Sequence, residues 1–367
     1  MNKKVLVAVS GGVDSSTTMI LLKERGYEVV AAHMKLWDYN DVGGETTSDG
    51  RCCSLESIND LHAICNAHAI PFYVLDFTRQ FRNDVITDFV NEYRVGRTPN
   101  PCVRCNTHIK WAGFLQKALE IGCDTIATGH YSRVEYNAEF NRTVIRRGVD
   151  ATRDQSYALW GLSQDALART LMPLGDFTKT QVRELARKYN LRTAERKESR
   201  EICFVADDDY HRFLKEWERG KGQKFTEGEI VTSDGRVLGH HEGIAFYTIG
   251  QRRGLGISHP TPLYVRKIDP DTNRVIVGDD IDLYAQEFMV NRINWVALDN
   301  PIEPFSADVK IRYLHQAAPA TVTPDGDGPA TVRFHQPERA ITPGQSAVFY
   351  DGDIVLGGGV IDSIKNS

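Results

Sequence analysis

The sequence predicts an α/β protein: a parallel sheet covered by helices, followed by a small central β-rich domain and a C-terminal β-barrel. Three observations carry this reading. Short apolar runs alternate with helix-like segments through the first half of the chain, as in strands joined by crossover helices. A glycine–serine loop, Ser10-Gly11-Gly12-Val13-Asp14-Ser15, lies between the first apolar run and the first helical segment. Composition then changes near Ala206, and from Lys221 onward the runs are short, alternating and separated by turn pairs.

Taken in order, Val5–Val9, Val29–Met34, Pro71–Phe77 and Thr125–Thr128 read as strands, and Thr17–Arg25, Ser54–Ala69, Phe81–Tyr93 and Asn106–Ile121 as helices. Ile109, Ala112, Leu115 and Leu119 recur at helical spacing, as do Val182, Leu185, Ala186 and Tyr189. Farther on, Asp234-Gly235, Asp325-Gly326 and Asp351-Gly352 favour two-residue hairpins with positive φ at both positions. Pro270-Asp271 favours a type I turn. Arg274–Val277 and Ser346–Phe349 read as strands. The expected divisions are residues 1–205, 206–284 and 285–367. Trp37–Arg51, rich in Gly, Asp and Thr, is expected to be a mobile loop over the site.

The 367 residues are too many for one compact core, and 41% hydrophobic with 25% charged residues is the composition of a globular protein. The first apolar run is too short for a signal peptide and no stretch is long enough to span a bilayer, so a cytoplasmic protein is expected. Seven cysteines, an odd number, argue against a secreted disulfide framework. The net charge of −5 gives no global sign of nucleic-acid binding, but two segments are locally basic. Arg183–Arg200 holds seven basic and three acidic residues, and Arg142–Arg153 four basic and one acidic. Either could be a solvated face or a phosphate-contacting surface.

The loop at Ser10 is the first chemical signal. A strand, a glycine turn and a helix start gather N–H groups and hydroxyls around an anion. No lysine completes a Walker pattern. Asp14 is expected as a helix cap or a metal-facing carboxylate. The segment resembles the loop of the PP-loop ATP pyrophosphatases, which cleave ATP between its α and β phosphates and adenylate a substrate. Ligands of such sheets bind beyond the carboxyl ends of the strands, where this loop falls.

Thiols are the second signal. Cys102 and Cys105 form Cys-x-x-Cys ahead of a helix, and Cys203 follows about a hundred residues later in Glu201-Ile-Cys-Phe204. The helix dipole and Arg104 would stabilise a thiolate there, as suits a nucleophile, a persulfide carrier or a metal ligand. A second Cys-x-x-Cys, expected of a closed zinc site, is missing. Three thiolates with one open position suit an iron–sulfur cluster. Cys65 and Cys123 read as core residues, and Cys52-Cys53 carries no assigned role.

Six motifs then fall in one order: Ser10–Ser15, Gly96-Arg-Thr-Pro-Asn-Pro101, Ala127-Thr-Gly-His-Tyr131, Asp154-Gln-Ser-Tyr157, Ser199–Phe204 and Thr248–Gly256. Together they resemble the bacterial tRNA-specific 2-thiouridylases (the MnmA family) across essentially the full length. The resemblance implies a PP-loop domain of the adenine nucleotide alpha hydrolase type, a central β domain and a C-terminal barrel. It implies ATP-dependent 2-thiolation of the wobble uridine of the tRNAs for Lys, Glu and Gln. Uracil O2 would be adenylated and sulfur relayed as a persulfide from a desulfurase or relay protein, releasing AMP and pyrophosphate. Mg2+ would accompany ATP, and a monomer is the expected state.

Carried over by position, Ala8, Val9, Ser10, Gly11, Gly12, Val13, Asp14 and Ser15 would hold ATP, with Met34 and Gly129 completing the pocket. Cys105 matches the nucleophile and Cys203 the persulfide-bearing cysteine. Asn100, Pro101 and Cys102 match the segment facing the target base. His130, Arg153, Asp154, Gln155, Arg312, Tyr313 and Gln345 match tRNA-contacting positions. Many members carry Asp where this chain has Cys102, and related thiolases with the cysteine form use a [4Fe-4S] cluster. A cluster on Cys102, Cys105 and Cys203 and a cluster-free persulfide route are therefore both expectations. An amidotransferase-type synthetase or argininosuccinate synthase would share the loop without needing the three thiols. A non-catalytic tRNA-binding relative is the remaining alternative.

Overall fold

The computed structural model describes residues 3–38, 55–196, 202–205 and 207–365. The expected loop Trp37–Arg51 beyond Asp38, and Cys52-Cys53, lie outside the described residues. The chain forms two compact units, one of Met1–Val85, Cys102–Asp209 and Asp353–Val355, the other of Ile86–Pro101, Tyr210–Gly352 and Leu356–Ser367.

The first unit is built on a five-stranded sheet of order β3-β2-β1-β4-β7. Its strands are β1 (Lys4–Ala8), β2 (Glu28–Lys35), β3 (Phe72–Asp76), β4 (Thr125–Ala127) and β7 (Thr170–Leu171). All its pairings are parallel. β1 is apolar throughout because helices cover both its faces, and Val5, Leu6 and Val7 are fully buried. Val5, Val7, Val9, Val29 and Ala31 pack with Met19 and Ile20 of the Val13–Glu24 helix and with Leu61 and Ile64 of the Leu55–Ala67 helix. The chain runs outward from β1 to β3 and returns to β4 on the other side of β1. Strand order therefore reverses between β1 and β4, the crevice where open α/β sheets bind ligands. The loop Ser10–Gly12 leaves β1 at that point, and Gly129 lies just after β4.

The basic segment Arg142–Arg153 begins as one arm of a hairpin of β5 (Ser132–Asn137) and β6 (Arg142–Arg147). Its charge is partly spent inside the unit. Arg146 pairs with Glu135 and Asp353, and Arg133 also pairs with Asp353.

The helices lie close to where they are expected, but two are wound differently. The expected Asn106–Ile121 helix begins at Pro101, whose missing N–H costs nothing at a first helical position. It passes into a π-helix over Cys105–Phe114 before returning to α at Leu115–Glu120. A second π turn, Arg82–Ile86, lies between Thr78–Phe81 and Thr87–Arg94. The insertion turns the expected face: Ile109 and Leu115 are buried, but Ala112 and Leu119 are exposed, and Trp111, Phe114 and Ala118 take the core positions.

The second unit contains a four-stranded sheet and a closed six-stranded barrel. The sheet, of order β10-β11-β8-β9, consists of β8 (Gly228–Thr232), β9 (Val237–His241), β10 (Tyr264–Asp269) and β11 (Arg274–Gly278). The barrel strands are β12 (Tyr284–Trp295), β13 (Phe305–Lys310), β14 (Ala318–Pro324), β15 (Ala330–Arg339), β16 (Ser346–Asp351) and β17 (Ile354–Lys365). β12 pairs with both β15 and β17, which closes the barrel. Inward residues alternate along β14 and β15, and Phe288 meets Phe334 at 5.6 Å between centroids. At the Asp-Gly turns only the glycine takes positive φ, at Gly235, Gly326 and Gly352. The expected two-residue turns with both positions left-handed do not form: the links Ser233–Arg236 and Asp325–Pro329 are longer, and the two-residue link Gly352-Asp353 starts one residue later than expected.

Gly344 (φ +93°) lies against the backbone of Thr98, and a Cβ there would meet Thr98 N and O at 2.8 Å. Gly344→Ala should lower unfolding stability by roughly 2 kcal/mol, read as a reduced urea midpoint, whereas Gly326→Ala, where a Cβ meets nothing, should cost less.

Candidate functional site

The Ser10–Ser15 loop is organised by its own hydroxyls. Ser10 N–H donates to Ser15 Oγ at 3.1 Å, and Ser15 Oγ donates to the Gly12 carbonyl at 3.1 Å. Gly12 is the N-cap of the Val13–Glu24 helix, with no side-chain cap, and the first-turn N–H groups have no intrahelical acceptor. Gly11 takes φ +82°, and a Cβ there would touch Ser57 Cβ at 3.0 Å. At Gly129 a Cβ would lie 3.0 Å from Asp14 C and Ser15 N. Glycine at 129 is thus what lets the strand-exit loop of β4 seat against the anion loop. Met34 is half-buried at the carboxyl end of β2. Together these features fit a phosphate-bearing ligand.

Asp14 is not the cap that was expected. Lys179 Nζ reaches its two oxygens at 2.7 and 2.8 Å, and Tyr131 OH donates to Oδ1 at 2.7 Å. Tyr131 is 4% exposed, packed beside the sheet. A metal-facing role for Asp14 therefore requires Lys179 to move. Lys179 opens the Lys179–Lys188 helix, whose capping box is formed by Thr178 and Gln181. No sequence signal joined it to a loop 165 residues away.

Arg196 supports the loop from outside, donating to the Gly11 carbonyl at 2.8 Å and pairing with Asp60 at 3.3 Å. Arg183 bonds the Ala194 carbonyl, and Arg187 pairs with Glu195. These three arginines of the Arg183–Arg200 segment have partners within the unit. Residues 197–200 lie outside the described residues.

The expected tRNA-contacting residues differ in how committed they are. Asp154 is buried and accepts from Gly148 N, Ser156 N and Ser156 Oγ. Gln155 accepts from Tyr131 N at 2.9 Å and so supports the residue that orients Asp14. Arg153 is half-buried. In the second unit, Arg312 donates to the Arg339 carbonyl, and Tyr313 is exposed with Lys310 Nζ 5.5 Å from its ring centre. Gln345 Nε2 bonds the carbonyls of Thr98 and Pro99, bracing the segment that leads to Asn100 and Pro101.

Cys102 and Cys105 lie at the start of the Pro101–Glu120 helical run, one exposed and one buried. Lys110, five residues after Cys105, sits one π turn along the same element. Its Nζ donates to Asn106 Oδ1 at 2.9 Å and meets His130 Nε2 at 3.4 Å, while Asn106 Nδ2 donates to the Ala158 carbonyl. Thr128 Oγ1 contacts His130 Nδ1 at 2.8 Å. A lysine donor on Nε2 leaves Nδ1 to carry the hydrogen of a neutral ring. Burial and then Lys110 push the His130 pKa well below its ordinary value, so this histidine is no fixed cation for phosphate.

The expected thiolate stabilisation is outweighed. Burial raises the Cys105 thiol to about 11 against the opposing pull of Lys110, with Cys102 adding to the rise. Cys102 is also raised, by the protein packed around it, although its surface is open to water. That exposure makes Cys102 the less desolvated of the two. Arg104 is turned away from this role, donating to the Asp84 carbonyl at 3.2 Å. Cys203 is exposed, next to Phe204, which is buried against Phe81. Among the described residues, no three His, Cys, Asp or Glu side chains are grouped to hold a metal ion.

Three family profiles match the chain: a tRNA methyl transferase HUP domain over residues 3–207, a tRNA methyl transferase PRC-barrel domain over 215–279 and an aminomethyltransferase beta-barrel domain over 285–361. The chain is 50% identical over 366 residues to the tRNA-specific 2-thiouridylase MnmA of Geotalea uraniireducens, covering 100% of this chain and 96% of that one. It is 49% identical to that of Carboxydothermus hydrogenoformans, covering 98% of each chain. With that of Clostridioides difficile the identity is 44%, covering 99% of each.

Lys179→Met leaves the Asp14 carboxylate without its cation and should cost roughly 2–3 kcal/mol in urea unfolding. Adding Asp14→Asn should recover part of that loss, whereas simple additivity would show that the pair is not coupled. With its thiol near 11, Cys105 in the free protein should alkylate slowly at pH 7. Its rate should rise about tenfold per pH unit below that pKa, read by mass spectrometry of the modified peptide.

Proposed function

The chain belongs to the tRNA-specific 2-thiouridylase family, and from that premise we propose that it uses ATP to replace O2 of the wobble uridine of tRNA by sulfur. The observation that carries this reading is one compact unit holding both the anion loop Ser10–Ser15 and the thiols Cys102, Cys105 and Cys203. A synthetase that only adenylates would need the first and not the second. The three tRNAs proposed as substrates are those for Lys, Glu and Gln. The enzyme is proposed to act as a cytoplasmic monomer. No helix among the described residues is long and apolar enough to cross a membrane.

O2 of uracil is a poor leaving group, so the first task is activation. Attack of O2 on the α-phosphate of ATP forms an O–P bond and expels pyrophosphate. The loop N–H groups and hydroxyls at Ser10–Ser15 are suited to receive the departing anion without reorganising. Mg2+ accompanying ATP would be held by the Asp14 carboxylate and would supply further charge neutralisation. Lys179 lies on the loop's own carboxylate. It can exchange Asp14 for a phosphate oxygen, which would free Asp14 to face the metal.

Sulfur is proposed to arrive as a persulfide on Cys203, supplied by a desulfurase or relay protein. Attack of its terminal sulfur on C2 forms the C–S bond, and AMP leaves with the O2 oxygen. Cys105 thiolate then attacks the Cys203 sulfur, breaking the S–S bond and releasing the thiocarbonyl. A Cys105–Cys203 disulfide remains, to be reduced by an external dithiol. The Cys105 proton must be lost before that attack, and Lys110 favours its loss. The target uridine must leave its stack, at a cost of a few kcal/mol that is least in a single-stranded anticodon loop.

Incubation with ATP, unmodified tRNA and a persulfide donor should yield 2-thiouridine by mass spectrometry of tRNA digests. Cys203→Ser should abolish that product while leaving tRNA affinity within about twofold. AMP formation without tRNA dependence, or equal loss of both properties, would count against the reading.

A further inference from the structure

The Thr248–Gly256 segment is used by no step above, yet it is constructed with care. Gly250 N donates to the Val265 carbonyl at 2.8 Å, and Val265 N returns a bond to the Gln251 carbonyl at 2.9 Å, pinning the base of the loop to β10. The Gln251 side chain braces the tip from within, accepting from Thr248 N and donating to the Arg253 carbonyl, each at 3.0 Å. Gly250 and Gly254 take φ +85° and +74°, which lets the chain turn sharply on either side of the arginines. Arg252 and Arg253 are exposed at this braced tip, with no partner for either guanidinium among the described residues. Elsewhere in the same unit the exposed cations Arg274 and Lys365 are paired with carboxylates.

Beside the tip lies a cavity of about 640 Å³ lined by Tyr210, His211, Thr248, Gln251, Arg252 and Arg253 and by loop backbone, with no acidic side chain. Tyr210 is fixed by stacking on Tyr93 at 5.0 Å, and His211 is held edge-on to Tyr210 at 4.4 Å. An aromatic wall beside two unneutralised guanidiniums is the chemistry that takes a nucleotide: ring faces stack on a base, and planar N–H forks grip phosphate.

We propose that this loop and cavity form a separate RNA-backbone subsite of the central domain, in which Arg252 and Arg253 take consecutive phosphates and His211 stacks an adjacent base. The inference rests on tRNA being the substrate, as argued above. It adds a contact surface distinct from the residues matched to tRNA by position. The Gln251 brace lowers the ordering cost of the contact, because the loop need not be reorganised when RNA arrives.

The test measures binding of the full-length enzyme to unmodified tRNA across a series of salt concentrations. Arg252→Ala/Arg253→Ala should weaken binding about tenfold at low salt. It should also make the slope of log K against log salt shallower by about 1–2, as loss of two phosphate contacts requires. His211→Ala should weaken binding several-fold at every salt concentration with the slope unchanged, since stacking releases no counterions. A double variant with wild-type affinity and slope overturns the subsite. So does one that binds tRNA normally but loses its persulfide-donor protein, which would make the loop an acidic-protein contact. A wild-type enzyme that binds no tRNA at any salt overturns the substrate reading itself, an outcome the variants alone could not produce.

Discussion

The first unit depends on one partly buried charge contact, that of Asp14 with Lys179. A carboxylate in the first turn of a helix, beside an anion site, would repel the ligand that the loop is shaped to hold. Lys179 removes that conflict by neutralising it, and Tyr131 fixes its orientation. Gln155 in turn holds Tyr131, and Gly129 permits the β4 exit to close on the Asp14 backbone. The crevice between β1 and β4 is thus maintained by residues from four separate stretches of chain, each with a partner in the next.

The thiol region obeys the opposite rule. There the fold supplies one cation, Lys110, against the desolvation of two thiols and an imidazole, and burial wins at each. Burial favours the protonated thiol at Cys102 and Cys105 and the neutral ring at His130. A protonated thiol reacts slowly with electrophiles in solution, so these two cysteines are protected at rest.

Much of this was legible in the sequence, where residue pattern and local chemistry coincide. The apolar runs at Val5–Val9 and Val29–Met34 are strands because helices bury both of their faces, which leaves an unmistakable composition. The anion loop was legible because glycine and serine spacing is itself the mechanism. Lys179 was not, since its role comes from a contact spanning 165 residues. The depression of the His130 pKa and the rise at Cys105 were equally invisible, because desolvation depends on what packs around a group. The partners of Arg183, Arg187 and Arg196 were invisible for the same reason: charge can be counted along a chain, but the groups that pair with it cannot. The Asp-Gly turns show a milder failure, since each dipeptide marks a reversal but a longer link, or at Asp351-Gly352 a shift of one residue, decides its geometry.

The π winding of Cys105–Phe114 bears on how this protein can vary. An i→i+5 turn amounts to one residue more than an α-helix would use over the same rise. The Leu115–Glu120 end and the Pro101–Arg104 start are each anchored by ordinary α geometry, so the surplus is trapped between them. Loss of a single residue inside the segment would let the backbone relax to its commoner form. It would also rotate the two cysteines about the helix axis relative to Lys110 and Asn106. Substitution is therefore tolerable there in ways that a change of length is not: the placement of Lys110 relative to Cys105 is written into residue count.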